Sequence, residues 1–304
     1  MKTKTHQHHN TTTRLNSNTR TLEHYKTMNT NFSKKIAILG AGNIGQAIAR
    51  GFVQSGKVNA DQITLTRRNL KFIEEFAAEG YSITADNREA VRNADIVIIA
   101  VQPQQLVGLS KQIKTDIDPE KHILMSIVTA VSISEILKHL EKDVPVVRVM
   151  PNTAIAIGES MTCIAGRPGS EDAIEVTRDL FELIGQVVVL DENRMTPATA
   201  LVACGVAFFL RAIRAASQGG IEIGFHSEEA LIMAAQTAKG AASLLLESRN
   251  HPESEIDKVT TPRGCTIGGL NRMEHEGFSS AMIQGILTSA NLAEGLYNVQ
   301  NGDE

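Results

Sequence analysis

Hydrophobic positions fall into two patterns that change over near Asp191. Before it, compact apolar runs alternate with segments that are apolar at every third or fourth residue. The runs Ile36–Leu39, Ile63–Thr66, Tyr81–Thr84, Ala94–Val101, His122–Val128, Val144–Val149, Met161–Ala165 and Val187–Leu190 read as strands. Several are β-branched without alternation, as in a parallel sheet buried on both faces. Between the first two, Ile44, Ala47, Ile48, Gly51 and Phe52 share one helical face. After the second, Leu70–Glu79 reads as a helix with Phe72, Ile73, Phe76 and Ala77 turned inward and Gly80 as its C-terminal cap. Arg88–Arg92 and Glu171–Ile184 continue the helical segments. The expectation is an α/β fold with a Rossmann-type sheet of about eight strands, mostly parallel.

After Asp191 no β-branched run appears. Met195–Ser217 reads as a long helix stopped by Gly219 and Gly220, and Ser227 caps a second over Glu228–Ser248. Further helices are expected at Glu253–Val259, at Ile267–Glu276 and from Ser279 to about Val299. Ala200, Ala203, Gly205, Ala234, Ala238 and Gly240 give the long helices small faces. Small faces permit close helix contact, within the domain or across a dimer. The chain thus divides into a tail over residues 1–33, a Rossmann domain over 34–191 and an all-helical domain over 192–304.

Candidate chemistry begins at Gly40-Ala41-Gly42-Asn43-Ile44-Gly45, between the first strand and the first helix. Gly40 allows a tight turn, Gly42 lets backbone approach a pyrophosphate, and Gly45 lets the helix pack close to the strand. The helix N-terminus offers N–H groups and positive potential to a phosphate. An ordinary tight turn would use the same glycines; the flanking strand, helix and second strand point to a dinucleotide. The second strand ends in Thr66-Arg67-Arg68-Asn69, where a carboxylate would bind the ribose of NAD. A hydroxyl and two guanidiniums suit a 2′-phosphate instead, so NADPH is favoured over NADH. A solvated loop is the plainer alternative for the two arginines. The Ala94–Val101 run ends in Gln102-Pro103, at the edge where ligands of such sheets bind.

Composition narrows the partners. The chain is 42% hydrophobic and 21% charged, with a net charge of −4 and no Trp. No basic field or stacking platform argues for nucleic acid. The longest uncharged helical stretch, Met195–Leu210, is rich in Thr, Ala and Gly and runs into Arg211 and Arg214, so no membrane span is expected. Cys163, Cys204 and Cys265 are far apart and form no CxxC pair. Neither a disulfide framework nor a metal site is expected, and the cytoplasm fits. Met1–Asn31 is polar and aperiodic, which predicts disorder and leaves Met28 as a candidate start. Its His6, His8 and His9 read as part of a flexible tail rather than as metal ligands.

The other chemical stretch is Thr260-Thr261-Pro262-Arg263-Gly264-Cys265-Thr266, dense in hydroxyls and backbone donors and leading into a helix. Several N–H groups there could grip a carboxylate. A plain helix cap explains the loop equally well when it is taken alone.

Four stretches together carry a family likeness. They are Gly40–Ile44, Ala100-Val101-Gln102-Pro103, Arg148–Thr153, and Val259–Thr266 leading to Glu274–Phe278. In this order, from about Lys34 to the end, the chain resembles pyrroline-5-carboxylate reductase. The resemblance implies a Rossmann domain followed by a helical dimerisation and substrate domain, in a homodimer or a ring of dimers. It implies an oxidoreductase acting on a C=N bond of a small-molecule substrate, with NADPH or NADH as hydride donor and L-proline as product. By resemblance, Gly40, Gly42, Asn43, Ile44, Thr66, Arg67, Asn87, Ala100, Val101, Gln102 and Pro103 meet the cofactor. Thr261, Gly264 and Cys265 meet the substrate, and the Thr266 hydroxyl reaches the ring nitrogen as the catalytic group.

Four departures bear on the substrate. Gln102 stands for the family's Lys, and Thr129-Ala130 for its Ala-Gly. Ala203-Cys204-Gly205-Val206-Ala207 stands for Gly-Ser-Gly-Pro-Ala, and Thr261-Pro262-Arg263-Gly264 for Ser-Pro-Gly-Gly. If position 263 needs positive φ, Arg there costs about 1 kcal/mol or more. Its guanidinium has an alternative use at the carboxylate site. A related reductase of another small imine or oxo/hydroxy acid, or a non-catalytic NADP(H)-binding paralogue, are the readings these departures leave open.

Overall fold

A computed structural model describes residues 32–300, with side chains to residue 294. The expectations for the tail, for Met28 and for His6, His8 and His9 lie outside the described residues. Within the described residues, the chain from Ser33 to residue 300 forms one compact unit.

The strands are β1 (Ile36–Leu39), β2 (Ile63–Thr66), β3 (Ser82–Thr84), β4 (Ile96–Ile99), β5 (Ile123–Ser126), β6 (Val146–Met150), β7 (Ser160–Gly166) and β8 (Gly185–Val189). They form one sheet in the order β3-β2-β1-β4-β5-β6-β7-β8. β1 to β6 are parallel; β7 runs antiparallel to β6, and β8 parallel to β7. Every residue of β1 and β4 is buried, which is why their runs do not alternate. The strand order reverses between β1 and β4, so a crevice forms beyond their carboxyl ends.

The helices of this part are α1 (Asn43–Gln54), α2 (Glu74–Ala78), α3 (Asn87–Arg92), α4 (Pro103–Ile113), α5 (Ile133–Leu140) and α6 (Glu171–Glu182). Leu106 and Ile113 of α4 and Ile136 and Leu140 of α5 close over Leu39, Val97, Ile99 and Leu124. Phe52 of α1 meets Phe181 of α6 edge-on, with centroids 5.5 Å apart. One expectation fails here. Leu70–Ile73 is a 3-10 turn, and only then does α2 begin. Three residues per turn rotate Phe72 off the inward face, and it is 62% exposed while Ile73 and Phe76 are buried. Ala77 is exposed as well.

The helical part comprises α7 (Met195–Ala198), a π-helical segment Thr199–Ala203, α8 (Gly205–Glu222), α9 (Ser227–Ser248), α10 (Pro252–Lys258), α11 (Cys265–His275) and α12 (Phe278–Gln300). Met195 joins it to β6 and β7 through Cys163, Ala165 and Met150. Three expected boundaries move. The Gly219-Gly220 pair does not stop α8, since glycine inside a helix costs only about 1 kcal/mol. The stop comes at Gly224, whose φ of +109° an L residue rarely adopts. His226, not Ser227, caps α9, and its N–H donates to Glu229 Oε2 at 3.1 Å. α12 begins at Phe278, directly after Gly277 at φ +80°.

Among the described residues one helical run, Glu192–Glu222, is long and apolar enough to cross a membrane by length and composition. Thr196, Thr199 and Gly205 interrupt its apolar residues and Arg211 and Arg214 follow them, so no unbroken apolar run marks it in the sequence.

Candidate active site

The cofactor residues named from the sequence gather at the carboxyl ends of β1, β2 and β4. Gly40 leaves β1 at φ +101°, and a Cβ there would lie 2.6 Å from the Ala100 carbonyl oxygen. Only glycine fits both the dihedral and the gap. A Cβ on Gly45 would lie 2.6 Å from the Gly40 carbonyl oxygen, so the first turn of α1 packs directly on the loop. Around Gly42 a Cβ would meet nothing within 4 Å. That open space faces the start of α1, which has no side-chain cap and no acidic residue in its first turn. The first N–H groups of a helix have no partner within it, so Asn43 and Ile44 present donors toward an anion. The donor set fits a dinucleotide phosphate.

Hydrogen bonds tie this loop to the neighbouring strand ends. The Ala41 N–H donates to the Thr66 carbonyl at 2.8 Å, and the Ala100 N–H to the Leu39 carbonyl at 2.8 Å. Thr66 is buried; its hydroxyl accepts from the Gly40 N–H at 3.2 Å and donates to Asn87 Oδ1 at 2.6 Å. The Asn87 side chain in turn donates to Gln112 at 2.9 Å. Thr66 and Asn87 therefore organise the turn from beneath. Arg67 Nη1 donates to the Ala41 carbonyl at 2.8 Å, and the guanidinium lies 4.6 Å from the centre of the Phe72 ring. Gln102 is the exposed N-cap of α4, its N–H donating to Gln105 Oε1 at 3.2 Å, and Pro103 takes the first helical position.

The second predicted loop is local and exposed. The Gly264 N–H donates to the Thr261 carbonyl at 2.9 Å, closing a turn with Pro262 and Arg263 at its centre. Arg263 has φ +60°. Proline followed by a residue of positive φ is the arrangement of a type II turn, which ordinarily places glycine second. A Cβ on Gly264 would lie 2.4 Å from Thr261 Oγ1 and 3.0 Å from the Thr261 carbonyl oxygen, so a larger residue would have to displace the Thr261 hydroxyl. Gly264 caps α11 without a side-chain bond, and Cys265 and Thr266 open the helix, Cys265 exposed and Thr266 half-buried. Among the described residues, no hydrogen bond or ion pair joins Thr261–Thr266 to the cofactor edge. The structure thus ties the first set of residues together by hydrogen bonds and makes no such tie to the second.

Some pairings near the sheet edge had no place in the sequence reading, although Arg148 and Ala130 were named there. Arg148 of β6 is buried and pairs with Glu192 at 3.3 Å; the same carboxylate oxygen accepts from the Ile133 N–H at the start of α5 at 2.7 Å. With Ser132, Asn193, Asn291 and Glu294 they line a polar groove of about 700 Å³. Partners 44 and 59 residues apart leave no local signal. Ala130, after β5, has φ +57°. Of the three positions where the sequence departs from a family glycine, 130 and 263 are left-handed, whereas Ala203 lies in the helical segment Thr199–Ala203.

Away from the edge, burial lowers the pKa of His122, whose Nδ1 accepts from the Asp118 N–H at 2.9 Å. Burial raises the Cys163 thiol. Neither group lies in the residues gathered above.

Comparison with known proteins places these features. A family model described as pyrroline-5-carboxylate reductase dimerisation matches residues 192–296. One described as NADP oxidoreductase, coenzyme F420-dependent, matches residues 35–130. Pyrroline-5-carboxylate reductase 1 of Dictyostelium discoideum is 54% identical over 278 residues, covering 88% of this chain and 50% of that protein. The chain therefore spans about half the length of that relative. Pyrroline-5-carboxylate reductase 2 of the same organism is 50% identical, covering 85% of this chain and 91% of that protein. Among solved structures, a pyrroline-5-carboxylate reductase from Coxiella burnetii aligns with TM-score 0.81 at 26% identity, over 87% of this chain and 99% of that one. A Plasmodium falciparum pyrroline carboxylate reductase with NADP bound shares the fold, with TM-score 0.78 at 22% identity over 88% and 99% of the two chains.

Proposed function

The chain belongs to the pyrroline-5-carboxylate reductase family, and on that premise we propose that it reduces the cyclic imine of 1-pyrroline-5-carboxylate to L-proline, using NADPH in preference to NADH. The observation that carries this reading is the crevice between β1 and β4. There an uncapped, acid-free helix start stands beside the Arg67 guanidinium.

The bound cofactor would supply hydride from its nicotinamide to the imine carbon. The protein's own part is position and charge. The Asn43 and Ile44 N–H groups hold phosphate at the start of α1, and Arg67 meets the 2′-phosphate. Ala100, Val101, Gln102 and Pro103 form the strand end that borders the crevice. The N–H groups of Gly264 and Cys265, with Thr261, take the substrate carboxylate. The Thr266 hydroxyl orients the imine nitrogen. A protonated imine is already electrophilic, so a hydroxyl suffices where a strong acid would otherwise be needed.

Among the described residues no hydrogen bond or ion pair ties the Thr261–Thr266 loop to the crevice, and a second copy is the means we propose for bringing the two sets to one substrate. We place the domain boundary at Asp191, with 34–191 for the cofactor and 192–304 for dimerisation and substrate. The assembly is a homodimer or a ring of dimers, with neither nucleic acid nor membrane as partner. The free cysteines suit the cytoplasm.

Steady-state oxidation of NADPH and NADH with DL-pyrroline-5-carboxylate tests the reading. Turnover faster with NADPH supports it; nucleotide binding without turnover favours the non-catalytic alternative. Thr266→Ala should lower kcat about 100-fold while leaving the NADPH dissociation constant within about twofold. An unchanged kcat would remove Thr266 from the mechanism.

A further inference from the structure

Among the described residues two guanidiniums rest on phenylalanine rings, and they differ in what else holds them. Arg50 of α1 lies 4.2 Å from the centre of the Phe76 ring. It also pairs with Glu75 at 2.6 Å and Glu79 at 3.1 Å, so its charge is met twice. Arg67 lies 4.6 Å from the centre of the Phe72 ring and donates from Nη1 to the Ala41 carbonyl at 2.8 Å. Among the described residues no carboxylate pairs with Arg67, nor with its neighbours Arg68 and Lys71. One arginine has its charge met by two carboxylates. The other is fixed in place with its charge open.

Phe72 is out of register with the core, and its 62% exposure is unusual for so large an apolar ring. Its placement is accounted for by the guanidinium above it. A guanidinium carries five N–H donors, and Ala41 takes one of them. The ring and the carbonyl together remove rotamer freedom from the arginine before any ligand arrives. Thr66 cannot share the task, because its buried hydroxyl is already engaged by Gly40 and Asn87.

We infer that Phe72 is a positioning residue that holds the Arg67 guanidinium ready for the 2′-phosphate and so sets the preference for NADPH. This rests on the NADP(H) reading above, and the test separates the two. Calorimetry on the full chain would compare adenosine 2′,5′-bisphosphate with AMP, which lacks the 2′-phosphate. Wild type should bind the bisphosphate more tightly. Phe72→Ala should weaken the bisphosphate about three- to tenfold and AMP by less than about twofold, and Phe72→Tyr should restore the wild-type ratio. An exposed ring leaves the fold intact on removal, which an unchanged melting temperature would verify. Equal loss for both ligands, or no loss for either, overturns the role of Phe72 while the NADPH reading stands. Wild-type protein that binds both ligands alike overturns the NADPH reading and this inference with it.

Discussion

Ile38, Val97 and Leu124 in the sheet are sealed from solvent, whereas Phe209, Ile232 and Leu246 along α8 and α9 are 61%, 69% and 75% exposed. Both halves are rich in apolar side chains, but only one covers them by itself. The sheet has α4 and α5 folded over it from the same chain. Between α8 and α9 an apolar groove stays open, lined by Phe209, Ala212, Ala216, Met233, Ala234 and Ala238. Contiguous exposed apolar surface of this kind is how proteins mark interaction sites. The match of residues 192–296 to a dimerisation family supports oligomerisation through this half, and another copy of the chain is the cover proposed above. The membrane-length apolar run Glu192–Glu222 lies within that segment, and its open side chains are of the same kind.

The largest test of this contrast is to charge the open half. Ile232 and Leu246 are fourteen positions apart on α9, near the same side of the helix. Ile232→Glu with Leu246→Glu should leave the sheet intact and abolish assembly, because each buried carboxylate costs several kcal/mol. Analytical ultracentrifugation would then show a monomer, with reductase activity lost and nucleotide binding retained. A variant that still assembles would mean that another surface joins the subunits.

A pair of glycines sharpens the contrast by sign. Gly45→Ala pushes a methyl to 2.6 Å from the Gly40 carbonyl oxygen, with Ile38 Cγ2 a further 3.2 Å contact. Backbone on one side and a sealed strand on the other cannot yield cheaply. The variant should lose about 1–3 kcal/mol and most of its nucleotide affinity. Around Gly240 in α9 nothing lies within 4 Å in the single chain. Considered alone, Gly240→Ala should gain about 1 kcal/mol through helix propensity. If a second chain packs closely there, the sign reverses in the assembled enzyme and not in the charged monomer. Chemical unfolding of both forms would read this difference.

The same contrast decided what was legible in the sequence. β1, β4 and the glycine turn follow from patterns within about thirty residues, and those are the parts that matched closely. Phe72 was misplaced because a 3-10 turn and an α-helix share their hydrophobic signature over four residues. Gly219 and Gly220 misled because composition does not distinguish a glycine inside a helix from one that ends it; only the φ of Gly224 does. The Arg148–Glu192 pair spans 44 residues and has no local trace. At the site, residue types pointed to the crevice and to the Thr261–Thr266 loop. They gave no sign that no hydrogen bond would tie the loop to the crevice among the described residues.

The smallest effect concerns two strained positions, one in each half. Ala130 and Arg263 hold φ of +57° and +60°, where an L residue costs about 1–2 kcal/mol. Glycine relieves that cost but enlarges the freedom of the unfolded chain, which takes back about 0.4–1 kcal/mol. At Arg263, an exposed side chain, little else is lost, so Arg263→Gly should gain about 0.5–1 kcal/mol and raise Tm by about 1–3 °C. At Ala130 the methyl is buried, and its removal costs about 0.8 kcal/mol more, so Ala130→Gly should gain nothing. Calorimetric melting of both variants would check the difference. Equal gains would mean that the Ala130 methyl contributes nothing to the core beneath it. No gain at Arg263 would mean that its side chain makes a stabilising contact once the second chain is in place.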